Sequence, residues 1–284
     1  MGRMTRQPKL KVTLEGVPET LLWTLYHRAL EARRPDAVLS DPKAVELVDA
    51  IDYPFEERFG TGNQGQAQWQ ALRARRFDQE VRRFLAVHPD GTVVALGEGL
   101  ETQLWRVDNG RVRWLTVDLP ETIEVRARLL PPSSPRQRTV AGSALDERWM
   151  DEVDGSRGVL ITAQGLLMYL APTEVHGLIA ACARFPGGAL LFDAVPRWLS
   201  DRSARGLPSA PGRYQAPPWT WGMDRSERDR IRATPGVAEL RELRLPRGRG
   251  VLFGYLVPLL STVPSLRIRL LSIMLARFAA SSAS

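Results

Sequence analysis

The sequence predicts an α/β fold: a doubly wound, mainly parallel sheet, preceded by an N-terminal helical cap and broken late by a lid insertion. Three observations predict it. Val93-Val94-Ala95-Leu96 is an uncharged apolar run that enters a glycine turn, Gly97-Glu98-Gly99. A strand covered on both faces reads this way where it turns into a helix. A second strand, Val112 to Val117, ends in Asp118, 21 positions past Gly97. An acid about 20 residues after such a turn is placed to accept hydrogen bonds from ribose hydroxyls. Finally, strand-like and helix-like runs alternate through the middle of the chain, the rhythm of a parallel sheet wrapped by crossover helices.

In chain order, residues 1–12 are polar and basic and read as a mobile arm. Leu21, Leu22, Leu25, Tyr26 and Ala29 recur at helical spacing and predict a helix over 18–30. Asp41-Pro42 opens a second helix, with Asp41 as N-cap and Pro42 in the first turn. Residues 53–66 hold glycines, acids and Asn63 and read as a loop. A third helix runs over 67–87 with Leu72, Phe77, Val81, Phe84 and Leu85. Its cluster Arg73, Arg75, Arg76, Arg82 and Arg83 reads as a solvated face, with Arg73 or Arg76 available to point inward at a ligand carboxylate. Residues 1–90 are therefore assigned to the cap and 91–284 to the core, in one structural domain.

Two glycines at alternating positions let the backbone turn sharply and approach a ligand. A helix starting near Leu100 would aim its free N–H groups back at that turn. Asp118 has two readings: ribose ligand, or cap of a helix over 120–130 that begins at Pro120. Strands follow near 138–140, 158–163 and 189–193, separated by a helix over 172–185. Residues 197–236 break this rhythm with five prolines and with Trp198, Tyr214, Trp219 and Trp221. So long an irregular stretch reads as a lid over a flat apolar ligand or as an aromatic cluster packed on the sheet. The end of the chain predicts a strand over 251–257 and a basic amphipathic helix over 266–278, suited to a partner subunit or a membrane surface.

The 284 residues carry a net charge of +7 and one cysteine, Cys182. One cysteine excludes an internal disulfide framework and fits a reducing, cytoplasmic setting. No run is long and apolar enough to span a membrane. The excess of arginine is spread along the chain, so the charge argues for no nucleic-acid partner, although an enzyme acting on nucleic acid stays among the alternatives. A homodimer is allowed for. His27, His88 and His176 have no neighbouring ligands at metal spacing, so no metal is expected. Tyr26, His27, Asp193 and Arg197 are the candidates for touching or deprotonating a substrate.

Six motifs carry a resemblance to a known family: VPETLL at 17–22, LRARRFD at 72–78, LGEGLET at 96–102, VDLPE at 117–121, GSALD at 142–146 and AQGLLMYL at 163–170. In this order, over about residues 13–195, the chain resembles the tetracenomycin-type polyketide O-methyltransferases, relatives of the leucine carboxyl methyltransferases. The resemblance implies a Rossmann-like class I fold that binds S-adenosylmethionine. Arg73 would hold the cofactor's methionine carboxylate, and Gly97 and Gly99 would lie beneath its amino-acid and sugar portions. Asp118 would take the ribose hydroxyls, with Leu119 beside the adenine and Ser143, Ala144 and Leu145 bounding it. The chain departs from its relatives at Gln164, where they carry an acid near the cofactor's ammonium, and also at Glu98 and Glu101, where they carry Ala and Asp. Glu98 is the acid expected to restore the missing charge. The implied function is methyl transfer to a carboxylate or hydroxyl of a small aromatic or polyketide-like acceptor. A non-catalytic S-adenosylmethionine-binding protein and an NAD-linked oxidoreductase are the alternatives, the second disfavoured by Thr102 where a third glycine would stand.

Overall fold

The computed structural model describes residues 9–14, 16–206 and 216–280. Its strands are β1 (Leu10–Lys11), β2 (Ile51–Asp52), β3 (Thr92–Leu96), β4 (Arg113–Asp118), β5 (Gln137–Ala141), β6 (Val159–Ala163), β7 (Ala189–Ala194), β8 (Val237–Leu243) and β9 (Ser272–Phe278). Its α-helices are α1 (Thr20–Ala32), α2 (Pro42–Ala50), α3 (Phe55–Phe59), α4 (Gln64–Val87), α5 (Gln103–Val107), α6 (Pro120–Leu129), α7 (Pro172–Cys182), α8 (Arg197–Ala204), α9 (Arg225–Arg232), α10 (Val257–Leu260) and α11 (Pro264–Arg267).

The main sheet has the order β5-β4-β3-β6-β7-β9-β8. Its first five strands are parallel, and β9 runs antiparallel to both β7 and β8. Every residue of β3 and β6 is buried, as expected of apolar runs covered on both faces. Helix α7 covers one face through Val175, Leu178, Ile179 and Cys182. Helices α4 and α5 cover the other through Phe77, Val81, Leu85 and Leu104. Chain order reverses at β3, which lies between β4 and β6, so a crevice opens at the carboxyl ends of these strands. Leu96 pairs with Val117, and Ala95 pairs with Thr162. That register brings the glycine turn, Asp118 and Gln164 to one edge.

Helices α1, α2 and α3 build the cap around Leu22, Leu25, Tyr26, Leu47, Phe55 and Phe59, and Leu100 of the glycine turn joins their core. The Asp41 carboxylate accepts from Ala44 N at 3.1 Å, the cap expected for α2. Two expectations here are corrected. Residues 53–66 are not all loop, because Phe55 and Phe59 bury against Tyr26 and wind α3. Leu10–Lys11 are tied into a two-stranded sheet with Ile51–Asp52 rather than free; residues 1–8 lie outside the described residues.

The C-terminal expectations are reversed. Residues 251–257 are helical, with a π-helical turn at Leu252–Leu256 running into α10. Residues 272–278 form β9 instead of an amphipathic helix. The physical reason is pairing: β9 lies between β7 and β8 and buries every residue but Arg277. A short apolar run has no periodicity that separates strand from buried helix, so its neighbours decide. The apolar 251–266 segment puts Val251, Tyr255 and Leu259 on the outside, each more than 60% exposed. Strand β8 lies at the sheet edge, buries only Leu240 and Leu243, and was not anticipated.

Segment 197–236 divides between its two readings. Trp221, Met223 and Ile231 pack into the main core, and Trp221 Nε1 donates to Glu227 Oε1 at 2.7 Å. Leu199, Arg202, Ser203, Ala216 and Trp219 instead line a chamber above the crevice. Trp198 is half exposed and donates from Nε1 to Arg269 O, whereas Tyr214 lies outside the described residues.

Candidate functional site: a crevice joined to an aromatic chamber

Beyond β3 the backbone turns through Gly97 at φ +61° and Gly99 at φ +54°, a region that side-chain-bearing residues rarely adopt. Gly97 N donates to Val117 O at 2.8 Å, and Gly99 N donates to Asp118 Oδ2 at 2.7 Å. The expected helix does not start at Leu100. Helix α5 begins at Gln103 and is five residues long, so a helix dipole contributes little here. The turn is instead held by arginines. Arg126 Nη1 donates to Gly99 O at 2.7 Å and Glu101 O at 3.0 Å, and Arg28 Nη2 donates to Leu100 O at 2.9 Å.

Asp118 does not cap α6; its Oδ1 accepts from Leu119 N at 2.8 Å. Each carboxylate oxygen thus has one backbone partner, Thr122 bonds the carboxylate as well, and acceptor capacity is left for a ligand hydroxyl. Burial pushes its carboxyl above the ordinary aspartate range, against the pull of the Gly99 and Leu119 amides. Leu119 is partly exposed beside it. Gly142 N donates to Asp118 O at 2.8 Å, which brings Ser143, Ala144 and Leu145 to the same edge.

Gln164 follows β6 and lines a cleft of about 70 Å³ with Gly97, Gly99, Arg28, Glu101 and Gly165. Its Nε2 donates to Glu101 Oε2 at 2.9 Å, while its Oε1 is buried without a partner among the described residues. Glu98 does not play the part expected of it. It is held by Trp114 Nε1 at 3.2 Å, Thr116 Oγ1 at 2.5 Å and Arg126 Nη2 at 2.9 Å, so its charge is spent inside the fold. Burial pushes its carboxyl up.

Arg73 projects from α4 and is 6% exposed. Its Nη1 meets Asp193 Oδ2 at 2.8 Å, and Asp193 Oδ1 accepts from Gly165 N at 2.6 Å. The Arg73 Nε is buried with no partner among the described residues. Arg76 turns instead to Glu80 on its own helix. Arg73, Gly165, Thr20 and Thr24 line both the cleft and a larger chamber of about 530 Å³. Trp23, Trp69, Tyr169, Trp219 and Phe253 supply its aromatic walls. This volume suits a small-molecule acceptor.

The structure brings Arg73, Gly97, Gly99, Asp118, Leu119, Ser143, Ala144, Leu145, Gln164 and Asp193 to one sheet edge, and leaves three candidates outside. Tyr26 donates from its hydroxyl to Gly60 O and stacks on Phe55 in the cap core. The His27 ring contacts Trp23 O, and burial pushes its pKa down, so it is neutral and packed. Arg197 pairs with Asp224 at 2.7 Å. None of the three lines the chamber, because each is already committed to a neighbour. Sequence reasoning missed Trp23, Trp69 and Tyr169. Their one legible signal was proximity to the quoted motifs, since no spacing marks a residue that meets its partners across the fold.

The comparisons with known proteins bear on this geometry. A family model described as leucine carboxyl methyltransferase matches residues 22–183. The chain belongs to this family. Relatives include the tetracenomycin polyketide synthesis O-methyltransferase TcmP of Streptomyces glaucescens, 41% identical over 66% of this chain and 69% of that protein. Another is the S-adenosyl-L-methionine-dependent methyltransferase dpfgK of Gibberella zeae, 29% identical over 76% of this chain and 78% of that protein. A candidate methyltransferase of Thermobifida fusca, known from its crystal structure, shares the fold with a TM-score of 0.56 at 17% identity, over 90% of this chain and 94% of that one. Membership of the leucine carboxyl methyltransferase family removes the NAD-linked oxidoreductase reading. No helix among the described residues is long and apolar enough to cross a membrane.

If Asp118 holds ribose, Asp118→Ala is expected to weaken S-adenosylhomocysteine binding by about 1–3 kcal/mol, the cost of unpaired hydroxyls. Binding to the native protein is also expected to weaken on acidification at a pH above the ordinary aspartate range, as this raised carboxyl takes up its proton. Isothermal calorimetry of the variant and of the native protein across pH checks both. An unchanged dissociation constant for Asp118→Ala would move the sugar elsewhere.

Proposed function

We infer that this methyltransferase transfers a methyl group to an oxygen of a flat aromatic or polyketide-like acceptor held in the chamber. The cofactor is S-adenosylmethionine, which supplies an electrophilic methyl on a good, neutral leaving group. Little remains for the protein beyond alignment and exclusion of water. One observation carries the reading: an aromatic-walled chamber meets the glycine cleft at Arg73, Gly165, Thr20 and Thr24. An acceptor resting on Trp23, Trp69 and Trp219 would present its reactive oxygen at that junction.

The residues present fit the cofactor. Among the described residues Arg73 has an unpartnered buried Nε, Gln164 an unpartnered buried Oε1, and Asp118 a carboxylate with acceptor capacity left. We assign the amino-acid end to Arg73 and Gln164, the ribose to Asp118, and the adenine to Leu119 and the 143–145 segment. Among the described residues no histidine lines the chamber, and its carboxylate, Asp193, is tied to Arg73 and Gly165. That arrangement favours an acceptor that is ionised without help. A carboxylate meets this condition at neutral pH, whereas a phenol benefits from a base.

The test incubates the protein with S-adenosylmethionine and paired polycyclic aromatics bearing a carboxylate or a phenol, with products read by mass spectrometry. An ester from the carboxylic acid, formed faster than an ether from the phenol, is the expected result. Binding of S-adenosylhomocysteine without transfer to any member of the panel would favour the non-catalytic alternative.

A further inference from the structure

We propose that Glu101 is a positioning residue that supplies, through the amide of Gln164, the negative charge that recognises the cofactor's ammonium group. The inference rests on the reading of the cleft given above. Glu101 follows the glycine turn and is 7% exposed. Its Oε1 accepts from Arg106 Nη2 at 2.8 Å and from Thr102 N at 2.9 Å. Its Oε2 meets Arg28 Nη1 at 3.0 Å and accepts from Gln164 Nε2 at 2.9 Å.

Burial pushes this carboxyl up, but Arg28 and Arg106 outweigh burial and bring it down to about 2. Glu101 is therefore an acceptor only. The Gln164 amide has to offer it the nitrogen, which fixes the orientation of the amide and leaves Oε1 as the acceptor on the other side. That oxygen is buried and, among the described residues, unpartnered, on a residue that lines the cleft with Gly97 and Gly99. A buried acceptor without a donor is unfavourable, and a ligand N–H group relieves it.

The charge balance points the same way. Arg28 and Arg106 are bonded to Asp41, Asp78 and Glu101, two guanidinium groups against three carboxylates. One negative charge is left in excess inside the fold. Asp41 and Asp78 do not line the cleft; Glu101 does. A cation in the cleft completes the balance. Glu98 pairs with Arg126, and Asp193 with Arg73, so neither has charge to spare.

The experiment compares two ligands by calorimetry. S-adenosylhomocysteine carries the ammonium, and 5′-methylthioadenosine keeps the nucleoside but lacks the amino-acid tail. Glu101→Gln and Gln164→Leu are each expected to weaken the first by about 10- to 100-fold, the range for a hydrogen bond to a charged group, and to leave the second unchanged. The double variant Glu101→Gln, Gln164→Glu exchanges amide and carboxylate and is expected to restore most of the loss. If Glu101→Gln does not fold, Gln164→Leu carries the comparison, because it leaves Arg28 and Arg106 paired. Equal weakening of both ligands, or no weakening of either, overturns the proposal while leaving the cofactor reading intact. A native protein that binds neither ligand overturns both.

Discussion

Arg73→Met is expected to abolish methyl transfer and to cost about 3–5 kcal/mol of folding stability, the penalty for stranding a buried charge. Asp193 is 4% exposed, and Arg73 is its cationic partner at 2.8 Å. The two effects separate in the double variant Arg73→Met, Asp193→Asn. Removing both charges leaves no stranded carboxylate, and the Asn oxygen still accepts from Gly165 N. That variant should regain most of its stability in urea unfolding, yet still fail to bind S-adenosylhomocysteine. Recovery of binding along with stability would show that Arg73 only supports the Gly165 loop.

Arg106→Met is expected to be the more damaging change to the fold. Its guanidinium reaches Asp78 at 2.8 Å, Asp41 at 2.8 Å and Glu101 at 2.8 Å, and it is almost fully buried. Losing it strands Asp78 of α4 and leaves Asp41 of the α2 cap and Glu101 of the glycine turn to share Arg28. A cost of at least about 3–5 kcal/mol is a large part of a typical domain's ~5–15 kcal/mol. Arg106→Lys keeps the charge but not the planar fork, and should fall between the two. The same cluster sets a pH response. The folded carboxyl of Glu101 lies near 2, below its ordinary 4.5. Its contribution is therefore complete above about 4.5 and is lost as pH falls toward 2. Glu98, with its carboxyl pushed up by burial, acts in the opposite sense and loses its contribution as pH rises through the raised value. Urea midpoints measured across this acid range check the prediction. A midpoint for Arg106→Met equal to that of the native protein would sink it.

Much of the parallel core could be read without coordinates. Strands β3, β4, β6 and β7 and helices α1, α2, α4, α6 and α7 lie where periodicity, caps and glycines put them. These signals are local, which is why a sequence carries them. The failures share one cause. Residues 272–278 became a strand because β7 and β8 flank them, and residues 251–257 became helical beside the chamber. Neither outcome is encoded within the segment itself. The acids were misjudged in the same way. Glu98 and Glu101 stand three apart on one turn, yet Arg126 claims the first and Gln164 touches the second.

By itself, the sequence determined the fold class and the glycine turn with its distant acid, because strand burial, backbone freedom and motif order are properties of contiguous residues. Only the tertiary structure decided where the aromatic chamber lies, which of Arg73 and Arg76 turns inward, which acid meets Gln164, and which of Tyr26, His27, Asp193 and Arg197 reaches the chamber. Those answers depend on groups far apart in the chain competing for the same few partners in a low-dielectric interior, where each charge goes to the neighbour the packing brings nearest.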